Sequence, residues 1–237
     1  QNGKMLISAD ASGTAILWDM NSGRLLHRFA HHRGSLLYAH VDEQKDRVFL
    51  SSLDGSSSMW DVQTGNMLAN LPGTGGKNTS AAAWNNHFFV GSEDGQLVHW
   101  YVNPETKSVD AKKTLRLHKG HILSQSAAQK LLATGGRDGV VHLFEIKKGE
   151  LEARRKISAE YPLVYSVELS KDGKYLLTYS SSVDRRKAKA QVWSTSTGKE
   201  VTSVRTTSGS KVKLSPRADL ILVATNKGEA KVYDLRG

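Results

Sequence analysis

Three side chains between positions 32 and 60 carry the chemistry of a hydrolase. His32 could take the proton of Ser52 while Asp54 orients its ring, and Trp60 stands just beyond the tight turn Asp54-Gly55. Two other places invite a ligand. GTGGKNT (73–79) has the glycine and lysine content of a phosphate-cradling loop, and His27, His31 and His32, or His118 and His121, are spaced so that imidazoles could share a metal. Spacing and surroundings argue against both. The phosphate loop needs glycine where Leu71 stands, a hydroxyl where Asn78 follows Lys77, and a helix afterwards. Acidic ligands are sparse around the histidines, and the chain has no cysteine. Neither a metal nor a cofactor is expected.

The elements that must position these residues are legible in a repeat. Taking Trp60 as reference, equivalent aromatic anchors occur at Trp18, Trp100, Phe144, Trp193 and Tyr233, with successive intervals of 42, 40, 44, 49 and 40 residues. Upstream of each lies a short apolar run closed by turn residues, such as RVFLSSLDG, HFFVGSEDG or KLLATGGRDG. Downstream, a polar turn (NSG, QTG, NPETKS, KKG, STG) precedes another apolar-alternating segment. Val, Leu, Ile and aromatics alternating with polar residues between tight turns predict four short strands per unit. No helix-length amphipathic window separates them, so a βαβ architecture is disfavoured.

Units of this kind resemble WD repeats, the Trp-Asp repeat family of β-propellers, whose period is about 40 to 45 residues with four strands per blade. The resemblance implies an all-β fold, a β-propeller of four-stranded antiparallel blades, with about six repeats present and the first and last blades incomplete. It spans 1–237 as a single propeller domain, expected to be a piece of a longer chain. The chain opens at QNGKMLISAD, in the second strand of its first unit, and stops at YDLRG, just after the third strand of its last. About 22 strands are expected, against about 24 for six full blades or about 28 for seven.

The resemblance also implies a role for the His, Ser, Asp and Trp. In the family pattern they form a buried hydrogen-bonded set, which the second unit holds as His32, Ser52, Asp54 and Trp60, with Ser52 expected to link indole and imidazole. The third unit keeps Ser92, Asp94 and Trp100 without a histidine. The fourth has His118 and Asp138, with Gly136 in the serine place and Phe144 as anchor. The first has Ser12 in the aspartate place, the fifth has no matching histidine, and the sixth puts Lys227 where aspartate would stand. Groups lost from most copies cannot act catalytically in each, whereas structural groups can be replaced by packing. No catalytic residues are expected, and these side chains are read as structural bolts.

The same resemblance places the loops that lead into each blade, and the turns between second and third strands, together around the central channel. They carry Arg33, Lys77, Lys119, Arg137, Arg185, Arg186, Lys187, Lys189, Lys211 and Lys227. With 33 Lys+Arg against 23 Asp+Glu, the net charge of +10 favours acidic partners or simply aids solubility. SSSVDRRKAKAQ, in the longest interval, reads either as a contact loop or as a solvated turn. The run KKGELEARRK (147–156) reads as charge that protects an exposed sheet edge. The expected function is a non-catalytic protein-protein interaction scaffold, part of a larger assembly, that binds an acidic or phosphorylated partner through the basic loops. The alternative is a nucleic-acid-associated propeller in a ribonucleoprotein, although Tyr161 is the one aromatic among those loops. No stretch approaches the roughly 18 to 20 apolar residues that span a bilayer, so no membrane role is expected. An intracellular setting is favoured over a secreted one.

Overall fold

A computed structural model describes residues 3–42, 46–103, 105–106, 108–215 and 217–235. Among these residues every regular element is a strand, and the 22 strands form six antiparallel meanders. The first sheet holds β1 (Met5–Ala9), β2 (Thr14–Asp19) and β3 (Leu25–Ala30). The second holds β4 (Leu36–Asp42), β5 (Arg47–Ser52), β6 (Ser56–Asp61) and β7 (Met67–Pro72). β8 (Asn78–Trp84), β9 (His87–Ser92), β10 (Gln96–Val102) and β11 (Val109–Arg116) make the third. The fourth comprises β12 (Ile122–Ala128), β13 (Leu131–Gly136), β14 (Val140–Lys147) and β15 (Glu150–Ser158). The fifth comprises β16 (Leu163–Leu169), β17 (Tyr175–Ser181), β18 (Ala188–Ser194) and β19 (Glu200–Thr206), and the sixth β20 (Lys211–Leu214), β21 (Leu220–Ala224) and β22 (Ala230–Asp234). Four sheets thus have four strands, and the first and sixth have three. Of the expected turn at 103–108, Pro104 and Lys107 lie outside the described residues, as do Gln1, Asn2, Arg236 and Gly237 at the ends.

The chain forms two compact units, 1–115 and 116–237. Within each, sheets stack face to face, which explains why the second strands read as continuous apolar runs. A strand covered on both faces has no side to leave polar. β5, β9 and β13 are buried at every position, whereas the fourth strands β7 and β11 are largely exposed. In the first unit, Val48, Leu50 and Trp60 of the second sheet pack on Ala15, Leu17 and Phe29. On its other face, Phe49, Met59 and Leu71 meet Phe88, Val90 and Trp100 of the third. The second unit repeats this, with Ala133 and Leu143 against Val164, Leu176 and Trp193, then Leu177 and Val192 against Val212 and Ile221.

The six anchors occupy one register position. Each third-strand aromatic lies opposite an apolar residue of the second strand: Trp18 with Leu6, Trp60 with Val48, Trp100 with Phe88, Phe144 with Leu132, Trp193 with Leu176 and Tyr233 with Ile221. In four sheets the pairing with the fourth strand slips by one residue immediately before the anchor, a bulge that sharpens local twist. The sixth sheet shows what stacking supplies. Its cross-strand pair Leu222 and Val232 is 42% and 62% exposed, while the equivalent pair in the fifth sheet, Leu177 and Val192, is 1% and 0% exposed.

Candidate functional site: buried anchors and basic loop ends

In the second sheet the network runs from the turn into the core. Asp54 Oδ2 lies 3.1 Å from His32 Nδ1 and accepts the Arg33 amide at 2.9 Å. His32 Nε2 lies 2.8 Å from Ser58 Oγ, which also accepts the Trp60 indole N–H at 2.8 Å. Burial alone would raise the Asp54 carboxyl, but donors from Ser56 and Arg33 together with His32 hold it down at about 2. Burial lowers the His32 ring, and Asp54 only partly offsets this. The fourth sheet repeats the pattern without the indole: His118 Nδ1 meets Asp138 Oδ1 at 2.9 Å, His118 Nε2 meets Thr134 Oγ1 at 2.9 Å, and the Lys119 amide donates to Asp138 Oδ2 at 2.9 Å.

The hydroxyl that links ring to ring is Ser58, not Ser52, which corrects the sequence expectation. With Trp60 opposite Val48, its indole reaches along the sheet towards the position two residues on, Leu50, and towards Ser58 on its own strand. Ser52 lies beyond that reach at the end of β5, where it donates to the Gly34 carbonyl at 2.9 Å and accepts from the Asp54 amide at 3.1 Å. The hydroxyl place is therefore four residues before the aspartate. Thr134 fills it in the fourth sheet, and in the equivalent register Thr178 accepts the Trp193 indole at 2.9 Å and Ser8 the Trp18 indole at 2.9 Å. Leu50 fills it in the second sheet, and the hydroxyl moves directly across the ladder to Ser58. Gly136 is not a substitute for serine in the network: a Cβ there would collide with the His118 ring at Nδ1.

Aspartate, histidine and hydroxyl in line are also the order of a nucleophilic triad. The acceptors decide against that chemistry, because Ser58 and Thr134 are both 0% exposed and a substrate carbonyl has no approach to either oxygen. The incomplete copies are held differently. Ser92 donates to Asp94, as does the Gln96 side chain, and Trp100 in the same sheet has Val90 and Val98 where the first, second, fourth and fifth sheets place a hydroxyl. Beside it, His87 Nδ1 and His99 Nε2 lie 2.8 Å apart, a buried pair that the repeat pattern does not anticipate. In the first sheet Asp10 replaces the absent turn aspartate, accepting the Ser12 and Thr14 amides at 2.9 and 3.0 Å.

Strand alternation brings the loops between sheets and the turns between second and third strands to the same end of each sheet. The Arg137 amide donates to the His121 carbonyl, and the Glu93 amide to that of Lys77. GTGGKNT is such a loop. It leads into β8 rather than a helix, and the Lys77 amide donates to a carboxylate, Glu93 Oε1, at 3.2 Å. Arg33 and Lys77 are exposed at these ends in the first unit, and Lys119, Arg137, Arg185, Arg186, Lys187, Lys211 and Lys227 in the second. Lys189 differs. It is drawn down between Glu160 at 3.3 Å and Glu200 at 3.6 Å, with its side chain 15% exposed. Arg186 lies 3.8 Å from Asp184. Among the described residues no group of three His, Asp or Glu converges as metal ligands, and no helix is long and apolar enough to cross a membrane.

In the second unit two of these loop ends enclose space. A cavity of about 500 Å³ lies between the fifth and sixth sheets, lined by Tyr165, Tyr179, Arg185, Ser208, Lys211 and Lys213 among others. The run 147–156 lies elsewhere, on the β14–β15 hairpin. There Lys147 pairs with Glu152 at 3.1 Å and Arg155 reaches the Thr195 carbonyl at 3.3 Å.

Meandering sheets with an aromatic bolt at one register position define a β-propeller. Residues 111–145 match the family described as WD domain, G-beta repeat. The chain is 22% identical to Autophagy-related protein 16 of Arabidopsis thaliana over 62% of its own length and 38% of that protein's. It is 26% identical to the DENN domain and WD repeat-containing protein SCD1 of the same plant over 59% of its length and 12% of that protein's. With Eukaryotic translation initiation factor 3 subunit I of Drosophila pseudoobscura pseudoobscura it shares 22% identity over 76% of its length and 58% of the subunit's. The chain thus spans less than two thirds of each of these relatives. The crystal structure of the computationally designed Ika8 protein covers 99% of this chain, and 69% of its own, with a TM-score of 0.81 at 20% identity, which shows a shared fold. At 111–145 the chain resembles a WD repeat, within sheets folded as in a β-propeller.

Proposed function

We propose that this chain is a non-catalytic scaffold that binds an acidic protein partner through its basic loop ends and holds it within a larger assembly. The observation that carries the reading is the placement of the cations. Lys119, Arg137, Arg185, Lys187 and Lys227 on loops and turns of the second unit, and Lys211 at the start of β20, stand exposed without an ion pair among the described residues. Rigid sheets hold these loops in place, so several weak contacts add without each loop having to be ordered anew. One group of relatives is named as a subunit, which agrees with a component of an assembly. The buried hydroxyls of the two His–Asp networks support a structural rather than a chemical use of those residues.

The test is charge reversal at Arg185, Arg186 and Lys187, each to Glu, followed by affinity capture from an extract and a melting curve. The expected result is loss of captured protein with an almost unchanged melting temperature. Capture that survives the triple reversal removes these loops from the interface. Capture that depends on nuclease-sensitive material replaces the protein partner by nucleic acid.

A further inference from the structure

Arg185 occupies a conformation that its counterparts reserve for glycine. In the second, third and sixth sheets the turn after the second strand is closed by the amide of Gly55, Gly95 or Gly228, donating to the carbonyl three residues earlier, with φ of +85°, +81° and +83°. The fifth sheet makes the same bond from the Arg185 amide to the Ser182 carbonyl at 3.0 Å, with φ of +57°. A long side chain in the left-handed region is held there by its surroundings. Ser182 Oγ and the Arg186 amide, both donating to Asp184 Oδ1, fix the turn. The turn places Arg185 on the lining of the cavity between the fifth and sixth sheets.

The charges around that cavity do not balance. Lys213 is matched by Glu168 at 3.5 Å, Arg186 by Asp184 and Lys189 by Glu160 and Glu200. Arg185, in the β17–β18 turn, and Lys211, at the start of β20, line the cavity with no ion pair among the described residues. Two unmatched cations suit the charge of about −1.5 to −2 on a phosphoryl monoester at neutral pH, and the guanidinium fork suits two of its oxygens at once. The wall behind them is stiff. Tyr179 is 4% exposed and donates its hydroxyl to the Thr207 carbonyl at 3.1 Å, so its own ring is not free to stack on a nucleobase.

We propose that this cavity receives a phosphorylated serine or threonine side chain of the partner, with Arg185 and Lys211 pairing its phosphoryl oxygens. This rests on the basic-loop reading and narrows it from a charged surface to one receptor.

The experiment is an amide NMR titration of the whole isotope-labelled chain with a blocked Gly-phosphoserine-Gly peptide, its unphosphorylated form and an oligouridylate. The expected result is saturable shifts confined to Arg185, Ser208, Gly209 and Lys211 with the phosphorylated peptide alone. Arg185→Asn, which tolerates the positive φ, and Lys211→Gln should each weaken binding about tenfold, while Lys171→Gln, in the exposed β16–β17 turn outside the cavity, leaves it unchanged. Dispersed spectra of the variants establish that they fold. Equal response to both peptides overturns the proposal, as do shifts spread over Lys77, Lys119 and Lys227, or a response to the oligouridylate alone. If the cavity ignores phosphoserine while the triple reversal still abolishes partner capture, the receptor falls and the basic-loop reading stands. If both measurements are flat, both fall.

Discussion

The second and fifth sheets fold alike and are bolted differently. In the second, an aspartate, a histidine and a hydroxyl lead from the turn to the Trp60 indole. In the fifth, the Trp193 indole reaches Thr178 directly, no histidine is present, and Asp184 serves only its own turn. The difference separates two jobs. Packing of the aromatic anchor holds sheet to sheet, while the His–Asp arm ties the preceding loop to the turn and so fixes where that loop lies. Where the arm is absent, turn and loop are released to carry other side chains, and the fifth sheet uses that freedom for Arg185.

The largest effects should come from the feature the two sheets share. Trp60→Ala and Trp193→Ala each remove a nearly buried indole and should cost about 3–5 kcal/mol in denaturant unfolding. His32→Ala, which strips the second sheet to the state of the fifth, should cost about 1–2 kcal/mol and leave the fold intact, because Asp54 keeps the Arg33 and Ser56 donors, Ser58 keeps the Trp60 indole, and the sheet contact stays closed. A His32→Ala penalty as large as that of Trp60→Ala would show that the network, not the indole, is the bolt.

The parts of this arrangement that were legible in the sequence are those fixed locally. Asp-Gly marks a hairpin turn from two adjacent residues, and an anchor recurring about every 40 residues marks a blade, so the anchors and the 22 strands could be read off. Ser52 was misplaced because the linking hydroxyl depends on register across the ladder, and a serine beside the turn looks equivalent to one a strand away. The residue pattern S-x-W at 58–60 was the signal available. Lys189 looked like its neighbours in RRKAK because the acids that neutralise it, Glu160 and Glu200, come from the β15–β16 loop and from β19. The importance of Arg185 over Arg186 was hidden for a further reason: Asp184-Arg185 carries no glycine to announce a positive φ.

A smaller effect should separate sheets that have buried histidines from the fifth, which has none. Burial, with His118 and Lys156 nearby, lowers His142 to about 4, and burial also lowers His118 against Asp138. These groups stay neutral in the folded chain while an unfolded histidine protonates near pH 6.5, so the stability they contribute is complete above that pH. It is lost progressively as pH falls from about 6.5 to about 4. For the half-buried His142 the loss should be on the order of 1–2 kcal/mol after solvent screening. Denaturant midpoints followed across that range should decline in the parent and flatten in His142→Gln. An unchanged slope in the variant would assign the acid sensitivity to other groups.

The smallest change bears most directly on why the fifth turn differs. Replacing Arg185 by Gly restores the residue that three other sheets use in that slot and relieves a left-handed conformation, so unfolding should become harder by about 0.5–1 kcal/mol. The exchange does not work in reverse. At Gly55 a Cβ would lie 2.7 Å from the Gly76 carbonyl oxygen, because in the second sheet the neighbouring loop closes over the turn, whereas Arg185 faces a cavity. A chain that becomes more stable on losing Arg185, and at the same time loses its response to phosphoserine, has that side chain in place for binding rather than for folding. Loss of stability in Arg185→Gly would mean that the guanidinium supports the turn, and the strain argument for a receptor would go with it.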